Sequence, residues 1–147
     1  QFPPNSTERW NILFNIILRN GIKHYEEGAN YDISWYDRGL PFLFTFAKAN
    51  NQMLPASIID TLRLYNYDHV FVFEPILSFD LSKENNGKFR TLTIEDRLYE
   101  HKLTIKSYES LGYHVISVPV FSDDLSLNFE KRFQFISSFV PDLSIGG

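Results

Sequence analysis

At 147 residues, with 44% hydrophobic and 16% aromatic side chains, the chain is long enough for one packed domain and too apolar for a disordered one. A formal net charge of −4 argues against a sequence-independent nucleic-acid footprint, and no apolar run approaches the ~20 residues of a membrane span. The absence of cysteine removes disulfides, thiolate catalysis and thiolate zinc sites together, and with no secretory signal at the start a cytoplasmic setting is expected.

Phe2-Pro3-Pro4 reads as an extended lead-in. Asn5, three residues before Glu8, suits a helix start, and Trp10, Leu13, Phe14, Ile17, Gly21 and Tyr25 recur at helical spacing. A helix is therefore predicted from Thr7 to Glu26, ended by Gly28 and Asn30. Tyr31 to Tyr36 is aromatic and β-branched between turn residues, which predicts a strand. Pro41 suits the first turn of a helix that Phe42 to Ala49 continues. A second helical piece runs from Pro55 to Tyr65, with Ile58, Ile59, Leu62 and Tyr65 on one face. His69 to Phe73 is a continuous apolar run of strand length, stopped by Glu74-Pro75.

Residues 76 to 92 read as an irregular polar loop. Thr93-Ile94-Glu95-Asp96 is a capping box, with Ile94, Leu98, His101, Ile105 and Tyr108 forming a seam behind it and Gly112 a stop. Tyr113 to Val118 predicts a third strand, ended by Pro119. Asn128 to Phe139 predicts a last helix, with Phe129, Phe133 and Ile136 in register. Strands separated by helices of this length imply an α/β fold with parallel pairing and right-handed crossovers. Ligands in such sheets bind beyond the carboxyl ends of the strands, which directs attention to Asp37-Arg38-Gly39 and Glu74-Pro75.

A carboxylate at Asp37 can hold magnesium, directly or through water, or take a proton from a substrate hydroxyl. Arg38 beside it can pair with phosphate oxygens. The competing reading is a local salt bridge or cap in ordinary turn chemistry. Lys88 and Arg90 sit on a locally basic loop tip, with Arg97 on the helix behind it. They can close over phosphates, or form a solvated face of i,i+4 ion pairs with Glu95, Asp96 and Glu100. The four histidines, His24, His69, His101 and His114, show no ligand spacing and read as structural. Asn5-Ser6-Thr7 matches a glycosylation sequon, read as chance without a secretory signal. G-x-S-x-G, G-x-G-x-x-G and G-x-x-x-x-G-K-[ST] are all absent.

Several segments in order resemble one family. Trp35-Tyr36-Asp37-Arg38-Gly39-Leu40-Pro41 looks like the strand and D-R-G-[IL]-P motif of NadR-like AAA-domain P-loop NTPases, relatives of nicotinamide riboside kinase. Tyr67-Asp68-His69-Val70-Phe71-Val72-Phe73-Glu74-Pro75 is similar to their Y-D-x-V-F-x-x-x-P strand. Tyr108 to Tyr113, followed by Val118-Pro119, resembles Y-x-x-L-G-Y…V-P, and Arg132 with Phe135-Ile136 resembles R-x-x-F-I.

The resemblance implies a three-layer, kinase-like P-loop fold with a parallel core, as one α/β domain over 1–147 with a lid region about 80–97. It implies Asp37 and Arg38 as the catalytic pair, Asp37 as the magnesium carboxylate, and Lys88, Arg90 and Arg97 as phosphate-binding lid cations. It also implies ATP and magnesium as cofactors, with a nucleotide and a small-molecule acceptor as partners and neither nucleic acid nor membrane.

The family's first strand and glycine loop are missing from these 147 residues, and Phe42 stands where many relatives carry Asp. Two expectations follow. One is an ATP-dependent phosphotransferase or NTPase whose P-loop lies upstream, which fits Gln1 in place of Met. The other is a P-loop-less, non-catalytic interaction module with a protein partner.

Overall fold

The computed structural model describes residues 6–77 and 93–140. The chain forms two compact units: Gln1–Asp68 with Lys106–Tyr113, and His69–Ile105 with His114–Gly147.

The first unit is built on helices. Helix α1 (Thr7–Gly28) starts at Ser6, whose hydroxyl accepts from the Arg9 N–H at 3.2 Å. Ser6 thus takes the capping place expected of Asn5, which lies outside the described residues. Helices α2 (Phe42–Ala49) and α3 (Ala56–Leu62) follow, near their predicted bounds. Phe14 and Leu18 of α1 are buried with Leu40, Leu43, Ala47, Leu54, Ile58 and Leu62 in one core. Each of the Phe, Leu and Ile side chains contributes roughly 1.5–3 kcal/mol when fully buried. Phe14 meets Phe46 edge-on at 6.3 Å and Trp10 at 5.7 Å. Beneath this core Thr45 donates to the buried Ser107 hydroxyl at 3.0 Å, so the pair needs no water.

The strand expected at Tyr31–Tyr36 is not formed. A strand needs a ladder partner, and the segment has none among the described residues. Its polar groups bind back to the end of α1 instead: Ser34 donates to the Gly28 carbonyl at 2.6 Å and Tyr36 to the Tyr25 carbonyl at 2.9 Å. A Cβ at Gly28 would land on the Tyr36 hydroxyl, so glycine is what lets the segment lie this close.

The second unit holds a parallel pair, β1 (Val70–Phe73) and β2 (Val115–Val118), in register from Val70 opposite Val115 to Phe73 opposite Val118. The parallel pairing expected from the alternation of strands and helices is therefore present, with two strands among the described residues. Helix α4 (Ile94–Ser110) begins with the predicted capping box. Thr93 N–H donates to Asp96 Oδ2 at 3.1 Å, and Asp96 N–H donates to Thr93 Oγ1 at 3.0 Å. Its predicted seam is only partly realised: Tyr108 is buried and His101 and Ile105 are half-buried, whereas Ile94 and Leu98 stay exposed, and burial falls instead on Leu103 and Ser107. Gly112, at φ +91, supplies the left-handed turn after the helix.

Helix α5 (Leu125–Ser137) starts earlier than predicted, because Asp124 caps it by accepting from Leu127 N–H at 3.0 Å. Its orientation also reverses the expected one. Phe129 and Phe133 are each 61% exposed, while Asn128 and Arg132 are buried. The inward polar residues satisfy backbone groups near the strand ends. Asn128 Oδ1 accepts from Phe121 N–H at 2.8 Å, and Arg132 donates from Nε to the Pro119 carbonyl at 3.1 Å and from Nη2 to the Glu74 carbonyl at 2.6 Å. Among the described residues no helix is long and apolar enough to cross a membrane.

Candidate functional site

Within the first unit, chemistry concentrates at the turn 37–41 that leads into α2. Phe42, Leu43 and Phe44 N–H donate to the carbonyls of Gly39, Leu40 and Pro41 at 2.9, 3.1 and 3.1 Å, winding the chain into the helix. Leu40 and Pro41 are buried and anchor the turn, while Asp37 and Arg38 are exposed. Anchoring on one side leaves the two charged side chains facing outward.

The two residues do not neutralise each other. No ion pair joins Asp37 to Arg38, and no hydrogen bond engages the Asp37 carboxylate among the described residues. The Asp37 side chain does not cap α2 either. The local reading of the pair, a salt bridge or cap, is thus not what the turn uses. The Arg38 guanidinium instead lies over the Phe42 ring, with Cζ 5.0 Å from the centroid, a cation–π contact. Its backbone is at φ +53, in the left-handed region that L-residues other than Asn and Asp rarely adopt.

Beside the turn lies a cavity of about 250 Å³. Ile17 and Gly21 of α1, Arg38 and Leu40 of the turn, and Phe42 and Phe46 of α2 are among its lining. A Cβ at Gly21 would meet Leu40 Cδ2 at 2.5 Å, so a larger residue there would displace that wall. The cavity is apolar except for Arg38, which is the usual composition of a small-molecule site: a greasy pocket with a few placed polar groups.

Two tyrosines reach the turn from elsewhere in the unit. The Tyr67 hydroxyl accepts from Leu40 N–H at 2.9 Å, and the Tyr108 hydroxyl donates to the Gly39 carbonyl at 3.4 Å. Burial pushes the Tyr67 phenol up to about 12 and raises that of Tyr108 further, with Asp37 adding a small electrostatic contribution to the latter. Both phenols are therefore neutral hydrogen-bonding groups at physiological pH. Sequence reasoning assigned neither to the site. Their one signal was the recurrence of tyrosine at 25, 36, 65, 67, 108 and 113, six of the eight in the chain.

The remaining predicted residues fall elsewhere. Lys88 and Arg90 lie outside the described residues. Arg97 belongs to the second unit, where Nη1 donates to the Ile76 carbonyl at 2.9 Å. Among the described residues no group of three or more His, Cys, Asp or Glu side chains could hold a metal. Magnesium takes one or two carboxylates and completes its shell with water and phosphate oxygens, a donor chemistry with which one exposed carboxylate such as Asp37 is compatible.

A family model described as AAA domain matches residues 5–126, most of the chain. No curated protein and no solved structure matches it. The α/β architecture and small parallel sheet are consistent with the P-loop type of fold. The chain thus belongs to the AAA domain family, of P-loop NTPase-like character.

Proposed function

We propose that the chain is the acceptor-side part of an ATP- and magnesium-dependent phosphotransferase of the NadR-like type. The observation that carries this reading is an unengaged carboxylate, Asp37, next in sequence to an arginine at positive φ that lines an apolar cavity. Backbone strain persists where the surroundings over-determine it, and its concentration at functional sites motivates a functional reading of Arg38.

In this proposal an acceptor with an apolar or aromatic body occupies the cavity against Phe42 and Phe46. Asp37 takes the proton of its hydroxyl, or holds the magnesium, as the oxygen forms its new bond to phosphorus and the bond to the nucleoside diphosphate breaks. Arg38 faces the transferring phosphoryl group and offsets its charge. Magnesium would supply neutralisation between the β- and γ-phosphates. Lys88, Arg90 and Arg97 keep the proposed part of lid cations. The sequence contains no glycine loop of the G-x-x-x-x-G-K-[ST] kind, so the reaction needs that element from beyond these residues.

Turnover of ATP by the full-length protein with magnesium tests the reading. Asp37→Asn and Arg38→Ala are each expected to lower kcat by about 100-fold or more, the usual scale for a proton-transfer or charge-stabilising group. Thermal midpoints should hold, because both side chains are exposed. Unchanged turnover in both variants overturns the assignment.

A second reading, a non-catalytic interaction module, is favoured by one observation: Leu125, Phe129 and Phe133 form an exposed i, i+4, i+8 stripe on α5. It predicts that millimolar ATP with magnesium leaves the thermal midpoint unmoved, whereas the first reading predicts a rise.

A further inference from the structure

The two phenols at the turn act on one peptide unit. The Gly39 carbonyl and the Leu40 N–H belong to the same planar group, in which a trans bond directs them to opposite sides. Tyr67 accepts from the N–H at 2.9 Å and Tyr108 donates to the carbonyl at 3.4 Å, so the plane is held from both sides. The same carbonyl also accepts from Phe42 N–H at 2.9 Å, which ties the plane to the start of α2.

The phenols themselves have little freedom. Tyr67 meets Tyr25 and Tyr36 edge-on, each at 5.5 Å, and Tyr113 at 6.1 Å. Tyr108 packs against Tyr113 at 5.9 Å. The supporting tyrosines are anchored in turn: Tyr25 donates to the Asn66 carbonyl at 2.8 Å and Tyr113 to the Tyr65 carbonyl at 3.0 Å. Gly39 is enclosed between the two rings. A Cβ there would stand 2.9 Å from Tyr67 Cζ and 3.2 Å from the Tyr108 hydroxyl.

Only the φ and ψ of Gly39, which is itself enclosed between the two rings, separate that plane from the Arg38 Cα. The pinned plane therefore anchors the chain one residue after Arg38, which stands at a left-handed φ of +53. That conformation sends the guanidinium over Phe42 at the cavity edge.

We infer that Tyr67, with Tyr108 as the second point of a clamp, is a positioning residue that holds Arg38 at the site. The consequence for catalysis rests on the phosphotransferase reading; the consequence for Arg38 geometry does not.

The test uses the full-length protein and the hydroxyl-deleting variant Tyr67→Phe, which keeps the ring packing. In nitrogen-15 NMR the Leu40 amide should exchange about tenfold faster or more, and the Arg38 Nε–H resonance should shift. With magnesium-ATP as the probe, kcat should fall about tenfold while KM changes less than twofold. In the Arg38→Ala background Tyr67→Phe should cause no further loss, because residues that act through one another are not additive. A general structural role would lower kcat in both backgrounds.

An unmoved Arg38 resonance, or additive losses, overturns the clamp. If Asp37→Asn and Arg38→Ala both leave turnover intact, the phosphotransferase reading fails, and the resonance alone still decides the clamp. Should Tyr67→Phe not fold, Tyr108→Phe is read by the same resonance, with a smaller expected shift because its bond is longer.

Discussion

Arg38 and Gly39 divide the backbone demands of the turn in an unusual way. The residue with positive φ is the arginine, while the glycine is required by crowding from Tyr67 and Tyr108. The two positions should thus respond oppositely to substitution. Gly39→Ala introduces a Cβ against Tyr67 Cζ, a ring atom backed by Tyr25 and Tyr36 and unable to retreat. Overpacking of this kind costs about 1–3 kcal/mol. Arg38→Gly relieves a left-handed L-residue, worth roughly 1–2 kcal/mol. The added freedom of the unfolded chain and the lost cation–π contact offset most of that, at about 0.5–1 kcal/mol each. Urea titration is expected to show Gly39→Ala clearly destabilised and Arg38→Gly within about 1 kcal/mol of the parent. Marked destabilisation by Arg38→Gly would mean that the arginine is retained for the fold rather than for the site.

At the level of elements, α5 ties the ends of β1 and β2 together through a single guanidinium. Arg132 lies over the Phe73 ring at 5.0 Å while binding the Pro119 and Glu74 carbonyls, and its burial lowers its pKa against the opposing pull of Glu74. Removing it orphans two acceptors at once. Arg132→Leu should therefore destabilise by about 3 kcal/mol in denaturant unfolding, the scale for losing two charge-assisted hydrogen bonds. Arg132→Lys should recover only part, since an ammonium lacks the planar fork that reaches two carbonyls. Full recovery by lysine would show that charge, not geometry, is what the strand ends need.

This helix also shows what the sequence could and could not reveal. Phe129, Phe133 and Ile136 have the period of a buried face, yet the buried stripe carries Asn128 and Arg132. Apolar periodicity registers transfer from water, whereas this orientation is set by unsatisfied carbonyls on another element, a non-local demand. Tyr31–Tyr36 failed for the same reason: its alternation suits a strand, but pairing depends on a neighbour. Helices α1, α2 and α3, whose signals are a capping serine or a leading proline together with large apolar residues, were legible from the chain alone. Of the candidate site, Asp37 and Arg38 were legible as charges after an apolar run; the phenols that hold their turn were not, because they arrive from 27 and 69 residues away.

At the scale of the whole molecule, the tyrosine cluster should leave its mark on the pH dependence of stability. Tyr67, Tyr108 and Tyr113 all have phenol pKa values raised by burial, that of Tyr67 from 10.0 to about 12. A raised folded-state pKa means that the folded chain binds protons more tightly than the unfolded one. The stabilisation from these groups is thus complete below pH 10, the unfolded phenol value, and is lost as pH rises toward about 12. Between pH 7 and about 9 they contribute no slope, so any change there belongs to other groups. Thermal midpoints measured from pH 9 to about 12, together with tyrosinate absorbance, should show a fraction of the tyrosines titrating late, in step with a fall in stability. Tyr67→Phe should flatten the alkaline fall, because one late-titrating phenol has been removed. If all eight tyrosines instead ionise together near pH 10 with no coupled loss of stability, the cluster is open to solvent, and the clamp built on it loses its rigid support.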